Sequence, residues 1–210
     1  MTKPIIIAIA GGTASGKTTI AKNLEEVIRE SKSVVRLELD NYYMEEAQAK
    51  EQFKSRIVNW DDPRTIDWDR VVSDLDKLAS GQSITFVPFN HEQNAYVGEE
   101  VTLEPAEAVI IEGIFALTRD DVINRSQIRI YVSADADVRL IRRAKRDGSE
   151  RHVESFDNDA FMERWLREIK PSHERFIEPT KKSADFIVNT TDIAQDKIVD
   201  RIRILLSLGK

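Results

Sequence analysis

Gly11-Gly12-Thr13-Ala14-Ser15-Gly16-Lys17-Thr18-Thr19 is the stretch on which the reading of this chain turns. Gly11, Gly16, Lys17 and Thr18 satisfy the phosphate-loop pattern G-x-x-x-x-G-K-[ST]. The six residues before it, Ile5-Ile6-Ile7-Ala8-Ile9-Ala10, are continuously apolar and branched, the signature of a strand buried on both faces of a parallel sheet. Beyond it Ile20, Leu24, Val27 and Ile28 recur at helical spacing, so a strand enters the loop and a helix leaves it. Glycines let such a loop curl until its N–H groups point inward, and the helix N-terminus adds a partial positive charge. Lys17 is expected to reach the β- and γ-phosphates of a nucleotide, and the Thr18 hydroxyl to hold Mg²⁺. An ordinary glycine turn before a helix would account for the glycines but not for the lysine and the hydroxyl.

Working outward, hydrophobic runs alternate with helical patterns. The first helix is expected over Gly16 to Glu30 and a second strand over Ser33 to Leu39, ending at Asp40. Met44 to Arg56 is polar, a short helix or a mobile segment. Asn59 to Asp67 is turn-rich, and Asp67 reads as the N-cap of a helix burying Val71, Val72, Leu75 and Leu78 before Gly81. Ile84 to Val87 and Val101 to Leu103 suggest a hairpin insertion, about 82–104. Strands over Ala108 to Ile111, Gln127 to Val132 and Ala184 to Val188 follow, with helices over Asp135 to Arg146 and Asp157 to Phe176. A last helix opens at Asp192 with Gln195 as a capping box. The order argues one α/β domain over residues 1–210, a mostly parallel sheet with helices on both faces.

The composition narrows the function. A length of 210 residues suits one full-sized core, and a formal net charge of −6 argues against a dedicated nucleic-acid or membrane binder. The absence of cysteine removes disulfides, zinc–thiolate sites and thiol nucleophiles, and fits a cytoplasmic protein. No apolar run approaches the roughly 18 residues of a membrane span. The chain passes directly from Met-Thr-Lys-Pro into its first strand, so no signal peptide is expected. The oligomeric state is left open, a homo-oligomer included.

In an open α/β sheet ligands gather at the carboxyl ends of the strands, where the phosphate loop lies. Glu112 and Asp40 each end a strand, so both are expected there. One carboxylate would hold the metal and the other would take the proton of an attacking hydroxyl. A strand-end aspartate is otherwise a helix cap. Arg139, Arg142, Arg143 and Arg146 fall on one helical stripe, with Arg151 beyond, and can neutralise charge on a moving phosphoryl group. The alternative is a solvated face paired with Asp135, Asp137, Asp147 and Glu150. His91 reads as a surface residue and Trp165 as helix packing.

Taken together, the phosphate loop, Leu39-Asp40-Asn41-Tyr42-Tyr43, Val109-Ile110-Ile111-Glu112-Gly113-Ile114 and Asp135 to Arg143 closely resemble the uridine kinase/phosphoribulokinase family. Arg146-Asp147 and Glu178 to Asp185 extend the resemblance over nearly the whole chain. It implies a P-loop NTPase core with a small hairpin insertion and a helical, arginine-bearing lid, here about 139–160. It also implies transfer of the γ-phosphate of ATP or GTP to a small-molecule hydroxyl, with Mg²⁺. By that resemblance Asp40 is the general base, Tyr43 lies near the acceptor and Asp67 binds ribose hydroxyls. Gly11 to Thr19 hold the nucleotide, Thr18 and Glu112 are magnesium ligands, and Arg143, Arg146 and Arg151 approach the phosphates.

The departures fall on the acceptor side. Pro88-Phe89-Asn90-His91-Glu92-Gln93-Asn94-Ala95-Tyr96 scrambles the family's base-reading loop, Glu150-Arg151-His152-Val153 lacks the lid's glycine and second arginine, and Arg164 stands near an expected glutamine. Uridine or cytidine is the favoured acceptor. Another riboside, a sugar phosphate or a pantothenate-like alcohol is the second reading. A nucleotide-binding switch is disfavoured, because no Asn-Lys-x-Asp guanine reader occurs and Asp40 with the arginines is equipment for transfer.

Overall fold

Five parallel strands form the central sheet, in the order Val34–Glu38, Ala108–Glu112, Ile5–Gly11, Ile128–Ser133 and Phe186–Asn189. The computed structural model describes residues 3–150 and 157–191, with the backbone alone at 149 and 150. The strands are β1 (Ile5–Gly11), β2 (Val34–Glu38), β7 (Ala108–Glu112), β8 (Ile128–Ser133) and β9 (Phe186–Asn189). Strand β1 is central because every residue after Ile5 is buried, which its unbroken apolar sequence requires.

Alternation along β1 divides the core into two layers. Ile6, Ala8 and Ala10 pack with Leu37, Val109, Ile111 and Tyr131, and α3 (Trp68–Ala79) closes that layer with Val71, Leu75 and Leu78. Ile7 and Ile9 pack on the opposite face with Ile110, Ile130 and Val132. There α1 (Lys17–Arg29) supplies Ile20, Ala21, Leu24 and Ile28. Helices thus cover both faces, and each layer buries the apolar stripe of a helix that could not stand alone in water.

The chain between β2 and α3 holds a 3₁₀ turn, Leu39–Tyr42, and the short α2 (Glu46–Phe53). After α3, β3 (Ile84–Phe86) pairs antiparallel with β6 (Val101–Leu103), and β4 (Phe89–Asn90) with β5 (Ala95–Tyr96). The 82–104 segment is therefore a hairpin of two short ladders joined across Pro88. Short α4 (Asp120–Ile123) precedes β8, and α5 (Ala136–Lys145) follows it.

The helix expected over 157–176 is present, but not as one α-helix. From α6 (Asn158–Arg164) the chain stays helical to Ile177 through alternating wide π turns and a single α turn. Pro171 lies inside this stretch with no N–H to donate, which loosens the ladder around it. The last strand begins at Phe186, two residues later than the apolar pattern suggests. The expected helix from Asp192 and residue Arg151 lie outside the described residues.

Candidate active site

The loop between β1 and α1 takes a shape that only its glycines permit. Gly11 has φ 147° and Gly16 φ 92°. A Cβ on Gly11 would stand 2.2 Å from the Val132 carbonyl oxygen, a backbone atom that cannot yield. Gly16 precedes the first residue of α1, so the N-terminal N–H groups of the helix open onto the loop. The loop is braced from behind. Thr190 Oγ1 donates to the Ser15 carbonyl at 2.7 Å, and Arg142 donates to Thr190 Oγ1 at 3.1 Å and to its carbonyl at 2.8 Å.

Lys17 is buried and donates its ammonium to the Gly12 carbonyl at 3.0 Å. Burial pushes its pKa down to about 8, against the pull of Glu112 and Asp40. Glu112 ends β7 on the α1 face of the sheet, opposite Glu38 in register. Burial raises its carboxyl above the usual range, while Lys17 and the Thr18 hydroxyl act the other way. Arg36 reaches it at 3.4 Å and also pairs with Glu38 and with Glu25.

A cavity of about 390 Å³ opens in front of the loop. It is lined by Lys17, Thr18 and Glu112, by Arg143 and Arg146, and by Asp40, Tyr43, Trp60, Asp61, His91 and Arg164. Arg143 Nη1 donates to Thr13 Oγ1 at 2.5 Å, and Asp147 accepts from both Arg143 and Arg146. Arg143 thus contacts the loop, and Arg146 lines the same cavity. The expected four-arginine stripe nevertheless divides. Arg142 braces Thr190, and Arg139 lies buried behind the loop, where its guanidinium sits 5.6 Å from the Trp165 ring.

Asp40 occupies the 3₁₀ turn directly after β2, its side chain 60% exposed to the cavity. The hairpin docks against this turn. Tyr96 OH donates to the Tyr43 carbonyl at 2.7 Å, and the Phe89 N–H to Asn41 Oδ1 at 3.2 Å. Tyr43 is buried among Trp60, Phe89 and His91, with ring centroids 5.9, 5.8 and 5.3 Å away. His91 is exposed, as expected, and also lines the mouth of the cavity with Nε2 3.7 Å from Asp40 Oδ2. The two-residue β4–β5 ladder folds it back over the turn.

Asp67 does not line the cavity. Its Oδ1 accepts the Arg70 N–H at 3.1 Å, so the carboxylate caps α3, as its position before the helix suggests. Asp62 caps the next turn by accepting from Arg64. Asp61, between Asn59 and these caps, faces the cavity instead, with Arg164 at 3.8 Å. Burial raises its carboxyl, opposed by Arg143 and Arg164. The signal was present in the sequence: of three aspartates in one loop, two stand at helix starts and are claimed by backbone N–H groups.

A glycine loop between the first strand and first helix of a parallel sheet, with a carboxylate at the end of a neighbouring strand, defines a P-loop NTPase fold. Residues 6–195 match the Phosphoribulokinase / Uridine kinase family. A Uridine kinase of Halobacterium salinarum is 40% identical over 183 residues, covering 87% of this chain and 78% of that one. A Uridine kinase of Lactobacillus helveticus is 34% identical over 98% of this chain and 97% of its own. The solved phosphoribulokinase from Rhodobacter spheroides superposes with TM-score 0.62 at 12% identity, covering 95% and 75% of the two chains, which shows the shared fold. The chain belongs to the phosphoribulokinase/uridine kinase family. It is accordingly an ATP-dependent kinase that takes a nucleotide and a small-molecule acceptor.

Proposed function

We propose that this kinase moves the γ-phosphate of ATP to the 5′-hydroxyl of uridine or cytidine. The observation that carries the reading is that one cavity holds the loop, Lys17 and two arginines together with Asp40, the Tyr43 cluster and Asp61. Uridine kinases 34–40% identical over most of the chain support the acceptor. In this reading Gly11 to Thr19 cradle the phosphates, with Lys17, Arg143, Arg146 and Arg151 neutralising their charge. Asp40 takes the proton of the acceptor hydroxyl, Tyr43 and its aromatic neighbours wall the acceptor, and Asp61 binds its vicinal diol. Residues 1–210 form one catalytic domain, with the 82–104 hairpin over the acceptor and the 139–160 lid over the phosphates. Among the described residues no helix is long and apolar enough to cross a membrane, and we place the kinase in the cytoplasm with its ATP.

The donor set fits Mg²⁺. Thr18 and Glu112 are hard oxygen donors brought together beside Lys17. Among the described residues no group of three or more His, Cys, Asp or Glu could hold a metal alone, so phosphate oxygens and water would complete the shell. When bound, Mg²⁺ neutralises charge on the transferring phosphate.

The test is acceptor-dependent ADP release over uridine, cytidine, their 2′-deoxy forms, a purine riboside, a sugar phosphate and pantothenate. Turnover is expected with uridine and cytidine and is lost on chelation with EDTA. Base discrimination is expected to be weak, because the 88–96 segment departs from the family's reader. The 2′-deoxy forms should lose about 1–3 kcal/mol in kcat/KM, the scale of a buried hydrogen bond left unmade. Asp61→Asn should erase most of that difference, whereas Asp67→Asn should leave it intact. Arg164 and Glu168 at the acceptor end favour a second reading, another riboside, a sugar phosphate or a pantothenate-like alcohol. No turnover with any nucleoside would transfer the assignment to it.

A further inference from the structure

Among the described residues three buried side-chain atoms have no hydrogen-bond partner, Ser15 Oγ, Arg139 Nη1 and His173 Nδ1. Two of them meet behind the phosphate loop. A Cβ built on Gly12 would stand 2.8 Å from Arg139 Nη1 and 2.9 Å from His173 Nδ1, so both atoms occupy the space that a side chain there would need. Arg139 and His173 are only 3% and 8% exposed. His173 Nε2 lies 3.3 Å from Glu178, which places the ring proton there and leaves Nδ1 a lone pair. Burial and the adjacent Arg139 cation keep this imidazole neutral. Arg139 is held by its Nε bond to the Ala134 carbonyl at 3.2 Å and by the Trp165 ring. Its Nη1 makes no hydrogen bond in this state, to the neighbouring His173 Nδ1 or to any other group. Burying such a group is unfavourable, so another state of the loop is expected to satisfy it.

The group that changes between states is Lys17. Its ammonium now holds the Gly12 carbonyl at 3.0 Å, and phosphates in the cavity would draw it away. We propose that Arg139 is a positioning residue for the phosphate loop, whose Nη1–H takes over the Gly12 carbonyl as Lys17 turns to the nucleotide. The lysine is then released without leaving a buried carbonyl unpaired. This inference rests on reading the loop as the nucleotide site. It also explains a glycine at a position the phosphate-loop pattern leaves free, since any side chain there would part Arg139 from the backbone.

The experiment is a double-mutant cycle on the affinity for a non-hydrolysable ATP analogue, measured by titration calorimetry without acceptor. Arg139→Gln should weaken binding about 5- to 150-fold when Lys17 is present, the range for one buried hydrogen bond left unmade. In the Lys17→Met background the Gly12 carbonyl has no lysine to lose, so the same change should cost less than about twofold. Arg139→Lys keeps the cation over Trp165 but cannot serve the Ala134 and Gly12 carbonyls at once. It should show the same dependence on background, and it carries the test if Arg139→Gln does not fold. Equal weakening in both backgrounds would mean that Arg139 only holds the shape of the loop, and would overturn the proposal. No weakening in either background would overturn it too. A failed exchange leaves ATP binding by the unaltered chain in place, whereas absence of that binding overturns the site reading as well.

Discussion

Lys17→Ala is expected to lower kcat for phosphoryl transfer by at least about 10²- to 10³-fold, the loss seen when one preorganised charge-stabilising donor is removed. The fold should survive. Lys17 lies in the first turn of α1 and is buried, yet its packing role is small. The side chain makes a hydrogen bond to Gly12 and otherwise carries a charge that burial disfavours, as its lowered pKa of about 8 shows. Alanine is also the best helix former, so α1 loses nothing by the exchange. The check is turnover at saturating ATP and acceptor beside a thermal melt. A folded Lys17→Ala protein with near-normal turnover would remove the phosphate-loop assignment altogether, because no other lysine among the described residues lines the cavity.

What the sequence makes legible follows from how local each signal is. The strand, loop and helix around Gly11 to Thr18 depend on neighbours in sequence, and the structure places them as the pattern reads. Asp40 and Glu112 are legible for a topological reason, since parallel strands deliver their carboxyl ends to one edge. Signals that depend on packing read less well. Asp61 and Asp67 share one turn-rich loop, and only the observed start of α3 shows which of them is the cap. Helical spacing puts Arg139, Arg142, Arg143 and Arg146 on neighbouring faces. It cannot show that the helix runs past both the back of the loop and its open side. His91 reaches Asp40 because of the β4–β5 pairing, whose two-residue ladders leave almost no periodicity to read. Trp165 is buried as helix packing, as expected, but its partners are Phe161 and Leu140, while its sequence neighbour Leu166 is exposed.

Asp40→Asn is expected to reduce kcat by about 10²- to 10⁴-fold at saturating ATP, Mg²⁺ and acceptor, the usual cost of losing a general base. Two carboxylates compete for that role, and their surroundings separate them. Glu112 is walled by Arg36, Thr18 and Lys17 on the α1 face, an environment for holding a cation beside the phosphates. Asp40 is largely exposed to the cavity, shares it with Tyr43 and Asp61, and has an imidazole 3.7 Å away. The proposed reading therefore gives the proton to Asp40 and the metal to Glu112. The amide keeps the shape of the side chain, and exposed substitutions of this kind shift stability by about 0.5 kcal/mol or less. The melting temperature should therefore stay near that of the unaltered protein while turnover falls. If kcat drops less than about tenfold, the carboxylate of Asp40 is not the proton acceptor. Glu112→Gln would then be the variant to carry the large loss, and the metal would need its carboxylate ligand from Asp40 instead.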